Sequence, residues 1–457
     1  MSPQVQQESV VWEGAALPSA TWLGLFIAIE IISQLLLLVM DQSLFRLPLR
    51  MATYGTSLAY IFLIPNRKRP HPAVGVSLIV IAIYCLSLFN ESTRFAPGIA
   101  QIVLTTAVLA PFFWAPRLAI SLGTLKRLFS VVWLFNVCSA TLGVLQVQYP
   151  GRFNQAYSEV LVQAKKGQVA QTYAIVNAKG ELAQRPMGLS DAPGAAGVHG
   201  VFAVVLGLAG ILIVRSWAAK VLISGGIIAG LAVMFLSQMR VLTVMLVISV
   251  ATLLIVLWLR RDRRLVPMLV FAPVLAVGGF MLAYEVGGEA MAKRLSTLVT
   301  GSAADVFYSN RGQFLETTLE KDLPQYPLGA GLGRWGMTNA YLAKEADPMR
   351  PTLWAEIQWT GWVYDGGIPL VLAYASIFVA ACFTLWRLTA PSPGTDFPAA
   401  AAVVLAYTVG GIAATFCFPI FHSQTGLDIW LLNGALFAAM GSSTGQPAAS
   451  IDTRLTA

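Results

Sequence analysis

Four arginines and one glutamate lie in polar segments that adjoin apolar runs of this sequence: Arg185, Arg240, Arg311, Arg334 and Glu356. Guanidinium groups bind a diphosphate through paired, charge-assisted hydrogen bonds. A partly buried carboxylate is a better base near neutral pH than an exposed one. These residue types predict a site that binds a diphosphate and accepts a proton. We assign Glu356, Arg240 and Arg311 to catalysis and the other two arginines to substrate binding.

Each of these residues also has a simpler interpretation. An arginine at the end of a span can reach headgroup phosphates without further function, and an arginine in a loop is commonly a solvated charge. Glu356 can instead form a structural ion pair with a nearby arginine. Arg240 is the sharpest candidate, because it lies in a very short turn between two apolar runs and a charge at membrane depth is usually functional.

The chain has three histidines, at positions 71, 199 and 422. His199 begins an apolar run and His422 stands at a predicted helix end, so both are candidate substrate contacts. His422 is also a candidate second base, although a helix-end histidine without chemistry is the alternative. His71 lies in a basic loop and is predicted to be inert. Asp365 and Glu30 are further acids at membrane depth.

Several patterns are absent from the sequence. It has no P-loop, no HExxH pair and no DxD motif, and its four cysteines lie in or beside apolar runs without a CxxC spacing. ATP-driven chemistry and a zinc site are therefore not expected. The sequence predicts no cofactor and no metal.

The composition is that of a membrane protein. Hydrophobic residues make up 56% of the 457 residues and charged residues only 11%, with a mean hydropathy of +0.69, whereas soluble proteins carry about 25% charged residues. The apolar runs are long enough to cross a hydrocarbon core of about 30 Å. Backbone amides in hydrocarbon must bond internally, so these runs predict helices and an all-α integral membrane protein.

We predict about twelve transmembrane helices, near 20–40, 46–64, 72–89, 98–115, 128–147, 198–214, 218–237, 241–259, 265–284, 362–386, 398–418 and 426–441. The chain then divides into helices 1–5 (1–147), a first polar loop (148–197), helices 6–9 (198–284), a large polar loop (285–361), helices 10–12 (362–441) and a tail predicted to be disordered (442–457).

The distribution of Lys and Arg sets the expected orientation. With the N-terminus inside, the short inner segments carry fourteen basic residues and the short outer loops only Arg46, Arg50, Arg94 and Arg240. This bias predicts that both termini face the cytoplasm and both long polar loops face outward, which is the periplasm in a bacterium. The net charge of +8 lies mostly on one side of the membrane, so it does not indicate a nucleic-acid partner.

The large loop itself has two recognisable parts. Apolar residues at Phe314, Leu315 and Leu319 alternate with charges, which predicts a short surface helix over 311–323 that ends at Pro324. The glycine-rich segment 329–333 predicts a tight loop whose backbone can approach a ligand. We therefore include Gly331 and Gly333 among the substrate-binding residues.

Three short motifs and the layout carry a family resemblance. The motifs are RPMGLSDAP (185–193) before a span, LSQMR (236–240) in a short turn, and Arg311 followed by PLGAGLG (327–333). With about twelve spans and a large loop near the C-terminal third, the chain resembles the O-antigen ligase and O-antigen polymerase superfamily of bacterial membrane glycosyltransferases. The resemblance covers most of the chain and implies a GT-C-like fold.

The resemblance also implies a substrate and partners. The donor would be an undecaprenyl-diphosphate-linked oligosaccharide in the bacterial inner membrane, with the active site facing the periplasm. Membrane lipids and a chain-length regulator are further expected partners. The ligases carry a histidine in the large loop, where an ungapped alignment puts Glu356 here, so a polymerase is favoured. A ligase that moves finished glycan to another acceptor, and a transporter of lipid-linked sugars, are the alternatives.

Overall fold

The computed structural model is a bundle of long helices. It describes residues 18–39, 43–65, 69–153, 162, 173–190, 192–300, 305, 308–343, 347–392 and 395–443. The predicted tail therefore lies outside the described residues from 444 onward, and so do residues 154–161, 163–172 and 191 of the first polar loop.

The first half of the bundle contains α1 (Ser19–Val39), α2 (Ser43–Leu63), α3 (Val74–Ser87), α4 (Phe95–Leu109), α5 (Pro111–Trp114), α6 (Leu122–Gln148), α7 (Ala195–Ile213), α8 (Trp217–Leu236) and α9 (Arg240–Leu259). The second half contains α10 (Leu265–Thr300), α11 (Gln313–Thr317), α12 (Leu323–Gln325), α13 (Gly336–Leu342), α14 (Gln358–Leu388), α15 (Phe397–Ala414) and α16 (Gln424–Ser443).

Nine helices in the described part of the chain are long and apolar enough to cross a membrane. The helical, multi-pass class that the sequence predicts is therefore confirmed. All twelve predicted spans are helical, but three of them fall outside these nine: α2, the 14-residue α3, and α16. Helix α10 also runs on to Thr300, past the predicted end of its span at 284, with a kink at Gly288.

A small hairpin stands in the first polar loop, where the sequence predicts only a loop. Strand β1 (Ala174–Val176) pairs antiparallel with β2 (Leu182–Gln184), so that Ile175 faces Ala183. The Asn177 side chain closes the turn by accepting hydrogen bonds from two backbone amides, and Gly180 takes a φ of +78°. The hairpin contacts α10 just before its kink at Gly288, where the amide of Ala178 donates to the carbonyl of Val286 at 2.9 Å.

The short basic loops meet at one end of the bundle, which we call the basic end. Asp396, before α15, binds Lys126 of α6 at 2.8 Å and Arg264, before α10, at 2.6 Å. Arg260, after α9, donates to the carbonyl of Trp386 near the end of α14 at 2.9 Å. The two long polar loops lie at the opposite end.

Helices α7 and α8 approach each other closely through glycines. A Cβ added to Gly230 would lie 2.8 Å from the carbonyl oxygen of Gly200, and one added to Gly200 would meet the carbonyl of Gly230. Small residues at such crossings let two membrane helices pack backbone to backbone. The crossing fixes the first turns of α7, on which His199 stands.

The large loop (285–361), which we call the insert, starts with the last turns of α10, and an irregular helix further along it lies against α14. It runs through a π-turn (Tyr308–Gly312), α11, a second π-turn (Thr318–Asp322) and α12. The predicted helix over 311–323 is thus present, although it starts earlier and ends after Pro324. The hydroxyl of Thr318 is 2.6 Å from that of Thr360 in α14.

The glycine-rich segment of the insert is a tight loop, as predicted. Gly329, Gly331 and Gly333 take φ values of +102°, +96° and +70°, a region that other residues rarely adopt. The glycines face the protein: a Cβ on Gly331 would lie 2.8 Å from the Ser92 carbonyl carbon, and one on Gly333 would lie 2.5 Å from the amide of Gly98. The loop therefore docks the insert onto the bundle.

Backbone hydrogen bonds hold this loop in place. The acceptors are Tyr364 O for the amide of Ala330 (2.7 Å), Thr93 Oγ1 for that of Leu332 (3.0 Å) and Gln101 Oε1 for that of Gly333 (2.9 Å). In return, the amide of Arg94 donates to the carbonyl of Leu332 at 3.0 Å. The insert is thus tied to the starts of both α4 and α14.

Candidate functional site

A cavity of about 620 Å³ opens between α1, α2, α4, the start of α7, and α13 of the insert. This volume falls within the range of roughly 300–1,000 Å³ that holds small-molecule ligands. Its lining is mostly apolar, and its polar side chains include Gln34, Arg50, Tyr54, His199, His422 and Asp428. Both histidines that the sequence nominates for substrate contact therefore line the same cavity.

Two residues of α6 contact the side chain of His199. Its Nδ1 shares a hydrogen bond with the hydroxyl of Ser139, and the same hydroxyl accepts from the amide of Leu189 at 2.9 Å. The edge of Phe135 faces the imidazole at 5.7 Å between ring centroids. One serine thus positions both the histidine and the RPMGL segment that precedes α7.

His422 stands in a 3₁₀ turn, Ile420–His422, between α15 and α16. The indole of Trp335, from the insert, stacks on its ring with 5.1 Å between centroids and an angle of 29°. Its Nε2 is 3.3 Å from the hydroxyl of Tyr84. Burial lowers the pKa of His422 to about 4, so its imidazole is neutral near neutral pH.

Behind His422 lies the buried carboxyl of Asp365 in α14. It accepts hydrogen bonds from Gln101 Nε2 at 2.6 Å, Tyr84 at 3.0 Å and Trp335 Nε1 at 2.7 Å. A buried charge is tolerated only when such partners satisfy it. Sequence reasoning noted Asp365 as an acid at membrane depth but could not supply its partners.

Arg185 and Arg240 approach the same turn at the insert end. A Cβ on Gly194 would lie 3.1 Å from Cδ of Arg185 and 2.6 Å from Sδ of Met239, and both Gly194 and Met239 line the cavity. Arg240 is the first residue of α9, and its buried Nε has no hydrogen-bond partner among the described residues. The two arginines therefore flank the cavity wall without lining it.

A third arginine, which the sequence analysis did not select, also reaches this turn. Arg294, in the part of α10 that extends past the predicted span, donates from Nε to the carbonyl of Gln238 at 3.1 Å. Gln238 itself has a φ of +54°, an uncommon backbone state for a residue other than glycine. Sequence reasoning counted Arg294 as a loop residue because it ended the helix at 284.

Arg311 and Glu356 form an ion pair with each other, which was the alternative interpretation of Glu356. Their side chains are 36% and 25% exposed. The positive charge of Arg311 also interacts with Cys417, which precedes Phe418 in the chain. Because Phe418 lines the cavity, the pair lies beside the cavity wall. Its predicted catalytic role stays a prediction.

Arg334 is buried and makes contacts within the insert. Its Nη1 donates to the carbonyl of Ala330 at 2.7 Å and its Nε to that of Pro351 at 3.1 Å. The amide of Leu353 donates back to the carbonyl of Arg334 at 2.8 Å. These bonds join the glycine-rich loop to the irregular segment 351–353 of the insert, and the predicted role of Arg334 in substrate binding stays a prediction.

Arg50 and Asp428 line the cavity but were not selected from the sequence. The guanidinium of Arg50 lies 5.6 Å from the ring centroid of Tyr341 in α13. Both residues lie within predicted spans or at their edges, so the argument that selected Arg240 and Asp365 applied to them as well. Within the described residues, no cluster of three or more His, Cys, Asp or Glu side chains has the arrangement of a metal site.

The Arg311–Glu356 pair is expected to contribute little to stability. Because it is partly exposed, removing it with Arg311→Ala should reduce the free energy of unfolding by about 1 kcal/mol or less. Arg311→Glu should destabilise the protein more, because it places a second carboxylate beside that of Glu356. The double variant Arg311→Glu/Glu356→Arg should restore the wild-type melting temperature in detergent. An unaltered melting temperature for Arg311→Glu would show that the pair does not form.

Fold and cavity together define a multi-pass helical membrane protein with a mostly apolar cavity, which α13 of the insert helps to line. Comparison of the sequence with models of known protein families and with curated proteins finds no match. Any more specific identification therefore depends on the short motifs of the chain and on the chemistry of the cavity.

Proposed function

We propose that this protein is a membrane glycosyltransferase of the polysaccharide polymerase type. It transfers a glycan from a polyprenyl-diphosphate carrier to a sugar hydroxyl of a second lipid-linked unit. The observation that supports this most strongly is the cavity, which combines an apolar wall with two histidines, an arginine and a carboxyl group. A lipid-linked sugar has the same mixed character, with a hydrocarbon chain joined to a charged and hydroxylated head.

The diphosphate is both the anchor of the donor and its leaving group. Arg50 in the cavity, and Arg185 and Arg240 beside it, supply cations at the place where negative charge develops on that leaving group. Such groups stabilise a transition state when they are held in position before the reaction. Because the leaving group carries its own activation, the reaction needs neither ATP nor a metal.

The proposal includes an orientation. Twelve helices span the bacterial inner membrane, the basic end faces the cytoplasm, and the insert and cavity face the periplasm. The support is the concentration of Arg and Lys in the short loops of the basic end, where Lys126, Arg260 and Arg264 make their contacts. A chain-length regulator in the same membrane is the protein partner that a polymerase of this kind would use.

Reconstitution tests the activity directly. Purified protein in liposomes receives a polyprenyl-diphosphate-linked repeat unit as both donor and acceptor, and the products are separated by size. We expect a ladder of glycans with release of polyprenyl diphosphate. A single transfer onto a different lipid acceptor, without a ladder, would favour the ligase. Movement of the substrate between leaflets without any new glycosidic bond would favour the transporter.

Arg240→Ala should slow this reaction without unfolding the protein. Removal of one preorganised group that stabilises developing charge lowers kcat by about 10²–10³-fold in other enzymes. Arg263→Ala is the matched control, because Arg263 is exposed in the loop at the basic end, and it should keep wild-type activity. Equal polymer yields from Arg240→Ala and the wild type would remove Arg240 from the site.

A further inference from the structure

The contacts around Asp365 show which group donates and which accepts in each hydrogen bond. Gln101 Oε1 accepts from the amide of Gly333 at 2.9 Å, so its Nε2 is the atom that faces Asp365. The indole nitrogen of Trp335 can only donate. Both carboxylate oxygens therefore accept hydrogen bonds, and Asp365 accepts a third one from the Tyr84 hydroxyl.

This arrangement determines the tautomer of His422. The Tyr84 hydroxyl has one proton, which it donates to Asp365, so it can only accept from the imidazole of His422. The Nε2 atom of His422 therefore carries the ring proton. Nδ1 is left with its lone pair, on a side chain that lines the cavity.

We propose that His422 is the general base for the acceptor hydroxyl and that Tyr84 and Asp365 are positioning residues for it. The inference rests on the proposed glycosyl transfer and names the group that receives the proton of the acceptor hydroxyl. A base that is oriented by a second group, which is in turn fixed by a carboxylate, is a recurring arrangement in enzymes that activate a hydroxyl.

The step conserves atoms and electrons. The acceptor oxygen forms a bond with the anomeric carbon of the donor sugar, and the bond from that carbon to the diphosphate oxygen breaks, so that the diphosphate leaves with the electron pair. The hydroxyl proton moves to Nδ1 of His422. The resulting imidazolium is stabilised through Tyr84 by Asp365 and later releases the proton to solvent.

Location favours His422 over Glu356 as the base. Glu356 is engaged by Arg311, and neither residue is among those that line the cavity, whereas His422 is. Trp335 adds a further constraint, because it stacks on His422 and donates to Asp365 at the same time. Docking of the insert and orientation of the base therefore depend on one side chain.

The test compares variants in the reconstituted polymerisation assay. His422→Gln should lower kcat by about 10²–10⁴-fold, the usual range for loss of a general base, with little change in KM for the lipid-linked donor. Tyr84→Phe should lower kcat by about tenfold, because it keeps the ring but removes the hydroxyl that fixes the tautomer. Glu356→Gln, at the other candidate base, should lower kcat less than His422→Gln does.

Two further measurements separate a chemical role from a structural one. Added imidazole should partly restore the activity of His422→Ala, which leaves space where the ring stood. His71→Gln is the control: His71 is a buried histidine that stacks on Phe112 at 4.7 Å and does not line the cavity, so its replacement should leave kcat unchanged. All variants must elute from size-exclusion chromatography as the wild type does.

The outcomes distinguish failure of the proposed function from failure of the role of His422. If the wild type and His422→Gln polymerise equally well, only the role of His422 is overturned. The same holds if His422→Gln is slow but Glu356→Gln is slower still and imidazole restores nothing. A wild type that forms no glycosidic bond with any lipid-linked acceptor overturns the proposed function and the role of His422 with it.

Discussion

Replacement of Gly367 by alanine is expected to detach the insert from the bundle and to destabilise the protein by about 2–6 kcal/mol. Gly367 interrupts α14 with φ +61° and ψ −147°, a conformation available almost only to glycine, and forcing another residue into it costs roughly 1–3 kcal/mol. A Cβ there would also lie 2.7 Å from the amide of Leu328 and against the carbonyl of Pro327, and overpacking adds roughly 1–3 kcal/mol.

The kink at Gly367 explains why the insert docks at this place. Pro369 has no amide hydrogen and cannot complete the helical ladder. The kink turns the amide of Ile368 outward, where it donates to the carbonyl of Pro327 at 2.9 Å. Asp365 lies two residues earlier, so loss of this contact should also disturb the hydrogen bonds that orient His422.

Thermal unfolding in detergent and size-exclusion chromatography measure the effect. Gly336→Ala is the matched control, because Gly336 lies in the same insert with φ +71° but has no atom within 4 Å of the added Cβ. Gly336→Ala should lower the free energy of unfolding only by the cost of the positive φ, about 1–2 kcal/mol. If Gly367→Ala unfolds at the same temperature as Gly336→Ala, the close contact with Pro327 does not contribute to stability.

The sequence was sufficient to predict the helices and the glycine-rich loop. Both depend on local properties: an apolar run in a membrane can only be helical, and closely spaced glycines favour backbone that other residues avoid. The hairpin at 174–184 was missed because its strands have three residues each, too few for a periodic pattern. The extension of α10 to Thr300 was missed because its last turns are polar.

The site was harder to predict because the chain assembles it from distant positions. The cavity brings residue 33 together with residue 428, and the donors to Asp365 come from positions 84, 101 and 335. Sequence reasoning noted Asp365 as an acid at membrane depth and His422 as a candidate contact or base, but it had no means to see that Tyr84 contacts both. It also left open whether Glu356 is a base or an ion-pair partner, and the structure shows that Glu356 pairs with Arg311.

A tryptophan at position 338 is expected to block the proposed reaction while the protein stays folded. Thr338 lies in α13 and lines the cavity together with Met337, Tyr341 and Leu342, which share one face of that helix. A large ring at this position would occupy space that the lipid-linked substrate needs. Since misplacement by about 1 Å can cost 10²-fold in rate, polymerisation should fall by at least about 100-fold.

The same helix provides the control. Ala340 is exposed and does not line the cavity, so Ala340→Trp adds an identical ring to the opposite face and should leave the rate unchanged. The melting temperature of Thr338→Trp should match or exceed that of the wild type, because the ring fills an existing void rather than enlarging a packed core. Wild-type polymerisation by Thr338→Trp would mean that the substrate binds elsewhere. A slow but stable Thr338→Trp beside an active Ala340→Trp would locate the transfer in the cavity that His422 and Arg50 line.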